Sequence, residues 1–458
     1  MTTAVLDIGK TNVKLVLFDD KGTEIAARSR SNEVIGGDPY PHFDLDGLQR
    51  WFIDSFREMP DRQQIGAIVP VTHGASAVLL RDDGMLALPM LDYEHSGPNE
   101  VADRFRALCD PFERTFTPDL PDGLTVGRQL FWLQDRFPGD FARVASVLCY
   151  PQYWSWWLSG VQASEVTSMG CHSHLWFARE RRTSDMVRRL GWEALFPPIR
   201  PAFDDLGPLR PELARQTGLS PHCRVFNGIH DSNASLLPYL RHCEPPFAVV
   251  SSGTWTINMS IGGELEHLDP ARDMIASIDV AARPVPTLRF MGGREYAAIA
   301  GEDGLKAGFG GGELRSLIGE GVMALPSFVE GVGPFPAGTG KIIGAQDLSA
   351  SRRAALATLY SALMVDYSLE LLGVEFPVFV DGPFARNDWL VGMLAALRAP
   401  QPVHPRPSAS GAAAGAFLLT RWEDRPSSPG DIGPTSDPVD LPGLSAYRDL
   451  WRERIAGL

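Results

Sequence analysis

The stretch AVLDIGKTNVKLVLFDDKG (Ala4 to Gly22) decides the fold. Residues 4–6 form an apolar run typical of a buried strand, and residues 13–17 alternate apolar and polar side chains like a partner strand. Between them the turn carries a carboxylate, a glycine, hydroxyl and amide groups and two lysines, which is far more than a tight hairpin needs. A turn of this composition suits a phosphate or its metal ion, and it equally suits a polar hairpin.

The bulk composition narrows the class of protein. A chain of 458 residues is long for one core, so two large domains are expected. The formal net charge of −14 argues against a nucleic-acid partner, which needs a basic surface. No window reaches the ~18 uninterrupted apolar residues of a membrane span, and the start shows no secretory signal. Five cysteines without a C-x-x-C pair indicate reduced thiols and a cytoplasmic protein.

A second opening of the same design occurs about 245 residues later. The stretch RHCEPPFAVVSSGTWTINMSIGG (Arg241 to Gly263) again places two apolar strands around a small polar turn. Two related domains, residues 1–243 and 244–458, are therefore predicted, with the linker near Pro245 and Pro246, which cannot continue a helix. Strands are predicted at 65–72, 77–80, 147–149 and 378–380, and helices at 46–57, 100–108, 127–136, 352–372, 387–397 and 412–420, followed by a surface wrap to about residue 440 and a terminal helix. This mixture indicates the α/β class.

Three turns are candidates for chemistry. Besides residues 7–14, the turn at 251–255 offers hydroxyl groups and free backbone amides to phosphate oxygens. The turn at 228–233 places Asp231 just before a helix start, where it is either a plain helix cap or a reactive carboxylate. Other nucleotide motifs fail: Phe335 stands where a P-loop ending in Gly340-Lys341 needs glycine, and GFGGGE lacks the last glycine of G-x-G-x-x-G.

Taken together and in this order, the three turns resemble those of sugar kinases of the FGGY family, within the actin/hexokinase-type ATPase superfamily. DIGKTNVK resembles the first phosphate loop of the family, SSGTW resembles the second, and GIHDSNAS resembles the segment that supplies the catalytic base. QLFWLQDRFP (129–138) and LPSFVEGVGP (325–334) resemble two further family segments. The resemblance runs from about residue 4 to about residue 420 and is closest to the branch that phosphorylates L-fuculose and L-rhamnulose.

The resemblance implies two actin/hexokinase-type (ribonuclease H-like) α/β domains flanking an active-site cleft, and ATP-dependent phosphorylation of a small sugar, favouring a ketose. Asp7 is implied to hold Mg²⁺ through water, and Asp231 to take the proton of the sugar hydroxyl. The residues implied to face ATP are Gly9, Lys10, Thr11, Asn12 and Lys14 on the first loop, Ser252, Gly253 and Thr254 on the second, and Gly382 and Asn387 beside adenine. Those implied to face the sugar are His73, Gly74, Ser76, Glu165, His230 and Asp231. The expected partners are the sugar and ATP, and neither nucleic acid nor a membrane is expected. A homodimer is one possible oligomeric state.

The chain departs from the family pattern at several positions. Ser76 stands where the F-G-V-D segment has an acid, so His73 is either a substitute sugar ligand or a structural histidine. Glu165 matches an acidic family position, with a solvated surface acid as the alternative. The segment 382–387 keeps only the first glycine and the asparagine of G-G-G-x-x-N, and the family's late glutamate falls on Ser410.

Other interpretations stay open at this stage. The first is a sugar- or nucleotide-sensing protein of the same fold with weak catalysis, and the second is a kinase for xylulose, ribulose or a polyol. The cluster at 171–174 (Cys-His-Ser-His) suggests zinc only weakly, because its spacing is irregular. The aromatic run at 150–157 either stacks on sugar or packs in a core.

Overall fold

The computed structural model describes residues 2–406, 411–424 and 433–458. These residues divide into two units. The N-terminal unit contains residues 2–242, 276–284 and 411–424, and the C-terminal unit contains the remaining described residues, 243–275, 285–406 and 433–458. The chain thus first changes unit between His242 and Cys243, whereas the predicted division at 243 assigns everything later to the second domain. Within the described residues, no helix has the length and apolar character needed to cross a membrane.

The N-terminal unit is built on a mixed sheet around its first strand. Thr2–Ile8 pairs antiparallel with Asn12–Phe18, which pairs antiparallel with Glu24–Ser31. On its other side Thr2–Ile8 pairs parallel with Ile65–Thr72. Beyond Ile65–Thr72 lie Arg224–Phe226 and Ile229–His230, both parallel to it, and then Asp205–Pro208, antiparallel to Arg224–Phe226. The remaining strands of this unit are Val34–Ile35, His42–Phe43, Ala77–Leu80, Leu86–Leu88, Ser146–Cys149, Trp176–Phe177 and Arg182–Thr183.

Helices cover this sheet with apolar faces. Leu45–Glu58 begins at Asp44, whose side chain accepts from Gly47 N at 2.8 Å, and it buries Leu48, Phe52 and Phe56 one turn apart. The other α-helices of the unit are Ala102–Arg106, Phe112–Thr115, Val126–Arg136, Pro138–Phe141, Tyr150–Ser159, Val166–Met169, Asp185–Arg189, Pro211–Thr217, Asp231–Ala234, Leu237–His242 and Ala412–Phe417, with 3₁₀ turns at Arg62–Gln64, Gly97–Val101, Glu193–Leu195 and Leu418–Arg421. The aromatic helix Tyr150–Ser159 packs into the core, as one of its two interpretations predicts.

The C-terminal unit repeats the same strand order. Phe247–Ser252 pairs antiparallel with Thr256–Ile261, and Pro284–Phe290 follows antiparallel. Val378–Asp381 pairs parallel with Phe247–Ser252, and Val403–Arg406 follows parallel. The strand Met274–Ile278 is divided between the two units after residue 275. The other strands are Met323–Leu325 and Lys341–Ile343; the α-helices are Gly292–Gly304, Gly311–Glu320, Ala350–Leu371, Asp388–Arg398 and Leu444–Ile455, with 3₁₀ turns at Pro270–Arg272 and Gly382–Arg386. Three antiparallel strands followed by parallel ones in both units confirm the predicted α/β class and the related cores.

Most predicted elements exist, and the differences have local causes. The strands predicted at 65–72 and 77–80 have the same bounds in the structure. The helix predicted at 100–108 begins instead as the 3₁₀ turn Gly97–Val101, with a proline in its first positions. The helix predicted at 412–420 is α-helical only over Ala412–Phe417. A Cβ on its Gly415 would lie 1.9 Å from the carbonyl oxygen of Ala234, so its small residues allow close packing within the N-terminal unit.

Candidate active site

Three neighbouring parallel strands of the N-terminal unit end at the same edge of its sheet. Asp7 on the first strand is the partner of Val71, and His230 on the last is the partner of Thr72. In open α/β sheets, ligands bind outside the carboxyl ends of parallel strands. Asp7, His73 and Asp231 therefore share the edge where this rule places a ligand.

The first candidate phosphate loop is a turn held by hydrogen bonds to its backbone. Gly9 N donates to Asn12 O at 2.9 Å. Asn32, on the neighbouring strand end, donates from Nδ2 to Gly9 O at 2.8 Å and from its backbone N to Thr11 O at 3.0 Å. The side chains of Thr11, Asn12 and Lys14 are left exposed on this turn. They are thus available to a ligand, and their phosphate role stays a prediction.

Two carboxylates act on each other across this edge. The pKa of Asp7 is raised to about 6, first by burial and then by the negative charge of Asp231, while Lys14, its strand partner, acts to lower it. Two neighbouring carboxylates with one nearby cation favour binding of a further cation. Mg²⁺ is commonly held by one or two carboxylates together with substrate phosphates, so Asp7 beside Asp231 fits the predicted metal.

His230 orients Asp231. The amide of Asn233 donates to His230 Nδ1 at 3.3 Å, which leaves the proton of the neutral ring on Nε2. That Nε2 lies 3.3 Å from Asp231 Oδ1, and Ser232 N donates to the same oxygen at 2.6 Å. Burial lowers the pKa of His230, although the charge of Asp231 raises it, so the ring is neutral at pH 7. His230 is the N-cap and Asp231 is the first residue of its helix, where its carboxylate accepts from the backbone amide of Ser232. The role of Asp231 as a reactive carboxylate stays a prediction.

Gly74 packs directly against the His230 ring, which leaves no room for a side chain at position 74. A Cβ at position 74 would lie 2.4 Å from His230 Nε2 and 2.8 Å from its Cδ2. The predicted sugar-site glycine thus touches the residue that orients Asp231. The loop around it is held by Gln129, whose Nε2 donates to Ala75 O at 2.6 Å.

Glu165 is fully buried, so the surface-acid interpretation is wrong. Its Oε2 caps the helix Val166–Met169, accepting from Thr167 N at 2.9 Å, Thr167 Oγ1 at 2.5 Å and Ser168 N at 3.2 Å. Thr167 Oγ1 in turn accepts from His230 N at 3.2 Å. Burial raises the pKa of Glu165 to about 7, although the hydrogen bonds from Thr167 and Ser168 lower it. Glu165 therefore supports the strand end that carries His230.

His73 and Ser76 bring unpartnered polar atoms to the same edge. His73 Nδ1 donates to Gly74 O at 2.9 Å, which leaves Nε2 as an acceptor. Burial lowers the pKa of His73 to about 4, so this acceptor persists at neutral pH. His73 Nε2, Ser76 Oγ and Glu165 Oε1 are buried without a hydrogen-bond partner. Buried polar atoms are almost always paired, so these three suit the hydroxyl groups of a ligand.

Lys10 has different surroundings from the rest of its loop. Its Nζ forms an ion pair with Asp92 and lies 3.5 Å from Glu94 Oε2. It also lies 4.9 Å from the centre of the Phe43 ring and 4.7 Å from that of Tyr93. The structure thus brings Lys10 to two carboxylates and two rings that the sequence patterns did not indicate.

The second candidate phosphate loop lies in the C-terminal unit, between its first two strands. Ser252 Oγ donates to Asp381 O and accepts from Phe384 N at 2.9 Å. Gly382 has a φ of +74°, and a Cβ there would lie 2.0 Å from Ser252 O. The loop and the predicted adenine segment are therefore joined, and only glycine fits at 382.

The remaining predicted ATP residues of this unit differ in accessibility. Gly253 and Thr254 are exposed at the turn. Asn387 is engaged: its Oδ1 accepts from Leu390 N at 3.1 Å as an N-cap, and its Nδ2 donates to Thr358 Oγ1 at 3.2 Å. Its adenine role stays a prediction, as does the placement of the Asp7 and Thr254 turns at one cleft. Ser410 lies outside the described residues.

The zinc interpretation finds no support. Among residues 2–406, 411–424 and 433–458, no group of three or more His, Cys, Asp or Glu side chains is arranged to hold a metal ion. His174 is buried, and burial lowers its pKa to about 4. No disulfide joins the five cysteines.

Family models match both halves of the chain. The model described as "FGGY family of carbohydrate kinases, N-terminal domain" matches residues 2–238, more than half of the chain, and "Carbohydrate kinase FGGY, C-terminal domain" matches residues 244–428. The chain belongs to the FGGY family of carbohydrate kinases. The predicted family is thereby confirmed.

Individual relatives of this FGGY chain are similar to different extents. A carbohydrate kinase from Novosphingobium aromaticivorans is 36% identical, with a TM-score of 0.89 over 99% of this chain and 98% of that one. L-fuculokinase from Salmonella typhi is 24% identical over 57% of this chain and 57% of its own length; a probable L-xylulose kinase from Pasteurella multocida is 25% identical over 58% and 56%. The matches thus span little more than half the length of these curated relatives. A xylulose kinase from Lactobacillus acidophilus (TM-score 0.77, 14% identical, covering 99% and 98%) shares the fold.

The sequence analysis did not name several residues that contact the candidate site. Asn32 and Thr167 act through hydrogen bonds to loops that lie far away along the chain, and no local pattern marks them. Gln129 begins the segment QLFWLQDRFP, but its hydrogen bond to Ala75 O was not predicted. Asp92 and Glu94 had a weak signal, since two carboxylates flank an aromatic residue in LDYEH (91–95).

Proposed function

We propose that this FGGY chain phosphorylates a small sugar with ATP, and that Asp231 is the base that takes the proton of the attacking hydroxyl. The observation that carries the proposal is the Asp231 carboxylate, held by His230 and Ser232 at the strand edge where its charge acts on Asp7. A carboxylate so placed, beside the first phosphate loop, can receive a proton while phosphate charge is held nearby.

The proposed reaction is a direct in-line transfer. Both contacts from His230 and Ser232 reach Oδ1 of Asp231, so Oδ2 accepts the sugar hydroxyl and its proton. The hydroxyl oxygen forms a bond to the γ-phosphorus as the bond to the β-phosphate bridge breaks. Mg²⁺, when held at Asp7, neutralises charge on the phosphates. Thr11, Asn12 and Lys14 bind the phosphates from the first loop, and Ser252, Gly253 and Thr254 bind them from the second.

The acceptor we favour is a ketose such as L-fuculose or L-rhamnulose. Support comes from the pairing of His230-Asp231 with SSGTW and from the similarity to L-fuculokinase. L-xylulose is the second candidate, because the probable L-xylulose kinase is equally similar. We also propose a cytoplasmic location, because the sequence has five cysteines and no C-x-x-C pair.

The test is ADP release with purified protein, MgATP and a panel of L-fuculose, L-rhamnulose, L-xylulose, D-ribulose and glycerol. We expect one ketose to exceed its epimers by far more than a few-fold, because a wrong isomer leaves buried polar groups unpaired. Activity only with the polyol would contradict the ketose assignment. Stabilisation by a sugar without ADP release would favour the sensing protein.

A further inference from the structure

Lys10 lacks a property expected of a phosphate ligand. Its ammonium is already paired with Asp92 and lies 3.5 Å from Glu94, and its side chain is only 17% exposed. Thr11, Asn12 and Lys14 on the same loop are exposed instead. An ammonium already balanced by two carboxylates adds little positive potential at a triphosphate.

Lys10 lies on the side of the loop where His73 lies. The His73 ring is 5.2 Å from the Phe43 ring and 5.4 Å from the Tyr93 ring, the same two rings that contact the Lys10 ammonium. The charge of Lys10 also lowers the pKa of His73. The pKa of the Tyr93 hydroxyl is raised by burial first, then by Glu94 and Asp231. Lys10 and the residues around it are therefore close to Asp231, the proposed base.

Unpartnered atoms beside this group indicate a ligand with hydroxyl groups. His73 is 6% exposed and Ser76 is 3% exposed, yet His73 Nε2 and Ser76 Oγ have no hydrogen-bond partner. Ser76 also brings no charge where the family pattern has an acid. Asp92 and Glu94 bring two carboxylates to the same surroundings, so they can supply the charge-assisted bonds that Ser76 cannot.

We propose that Lys10, Asp92 and Glu94 form an acceptor-specificity site, and that Lys10 binds the sugar rather than the phosphates. This inference rests on the proposed kinase function. Hydroxyl groups of the sugar donate to Asp92 and Glu94 and accept from Lys10, while His73 Nε2 accepts a further hydroxyl. Because Lys10 balances only one of the two carboxylates and Asp231 lies nearby, the site is net negative. It therefore selects neutral sugars and rejects anionic acceptors such as aldonates.

The first experiment compares two lysines of the same loop. Lys10→Gln and its matched control Lys14→Gln are assayed for ADP release with the best ketose of the panel, varying sugar and ATP separately. We expect Lys10→Gln to raise the sugar KM by about 10- to 100-fold, the usual worth of a charge-assisted hydrogen bond, with the ATP KM within twofold. Lys14→Gln should raise the ATP KM and leave the sugar KM within twofold.

The second experiment separates a sugar contact from a structural ion pair. Asp92→Asn and Glu94→Gln keep the shapes of the side chains and remove their charges. We expect each substitution to lower the ratio of kcat/KM for the best ketose to kcat/KM for D-gluconate by about tenfold, because the site then repels the gluconate anion less. If the carboxylates only form a structural ion pair with Lys10, each substitution should lower kcat/KM for the ketose and for D-gluconate by the same factor and leave the ratio unchanged.

Two results overturn the inference while the kinase function stands: an ATP KM raised by Lys10→Gln with an unchanged sugar KM, or an unchanged ketose-to-gluconate ratio in both carboxylate variants. If the wild type phosphorylates no sugar of the panel, the proposed function fails, and the inference that rests on it fails as well.

Discussion

Gly74→Ala tests whether the position of His230 governs catalysis. The added Cβ would lie 2.4 Å from His230 Nε2, about 1 Å closer than an ordinary contact allows. His230 is only 4% exposed and its Nδ1 is held by Asn233, so the ring cannot turn out into solvent. The imidazole must therefore shift by about 1 Å, and the contact with Asp231 at 3.3 Å is lost or misdirected.

The expected loss follows from that shift. A misplacement of about 1 Å in a positioned group costs about 10²-fold in rate. We therefore expect kcat to fall by about 10²-fold, which is about 2.7 kcal/mol in the activation free energy. The KM for ATP should change little, because the ATP loops are not touched by this substitution.

The assay is ADP release at saturating ATP with the best ketose of the panel. Gly139→Ala is the matched control, since a Cβ there meets nothing within 4 Å. Urea unfolding of each variant separates loss of fold from loss of rate. In the background of His230→Ala, Gly74→Ala should have no further effect on kcat, because the ring it displaces is gone. A folded Gly74→Ala enzyme within twofold of the wild-type kcat would refute this reasoning.

Two further predictions concern buried or partly buried carboxylates. Asp7→Ala should raise the Mg²⁺ concentration needed for half-maximal ADP release and lower kcat; an unchanged Mg²⁺ titration would mean that Asp7 is only a turn residue. Burial raises the pKa of Glu165 from its ordinary value of 4.5 to about 7 in the folded protein. The free energy of unfolding therefore falls as the pH rises from about 4.5 to about 7, because the unfolded chain loses this proton at a lower pH than the folded protein does. Urea unfolding at pH 5 and pH 8 measures this change in the free energy of unfolding, and Glu165→Gln should remove a part of it that is at most about 3 kcal/mol. The same change in the wild type and in the variant would contradict this prediction.

The sequence predicted the parts of the fold that depend on local pattern. Two hairpins with the same apolar alternation predicted two related sheets, because a strand pair with one buried face is encoded within about 20 residues. The return of residues 276–284 and 411–424 to the N-terminal unit was not predicted, since packing between distant segments leaves no periodic signal.

The candidate site shows the same division. Asp7 and Asp231 could be named as candidates from the sequence because each stands at the end of an apolar run in a recognisable turn, and their roles stay predictions. The surroundings of Lys10 were not found, because Asp92 and Glu94 are more than 80 residues away along the chain and meet it only in the folded structure. Likewise, the burial of Glu165 depends on neighbours from the whole N-terminal unit, and one acidic residue in a polar segment gives no sign of it.

The kinetics of Asp231→Asn test the central claim most directly. Asparagine keeps the shape of the side chain and can still accept from Ser232 N, but it cannot take a proton at neutral pH. We expect kcat with the best ketose to fall by about 10²- to 10⁴-fold, the usual worth of a general base, while the Kd for MgATP by calorimetry stays within a few-fold. An Asp231→Asn enzyme whose kcat lies within a few-fold of the wild type would contradict the account.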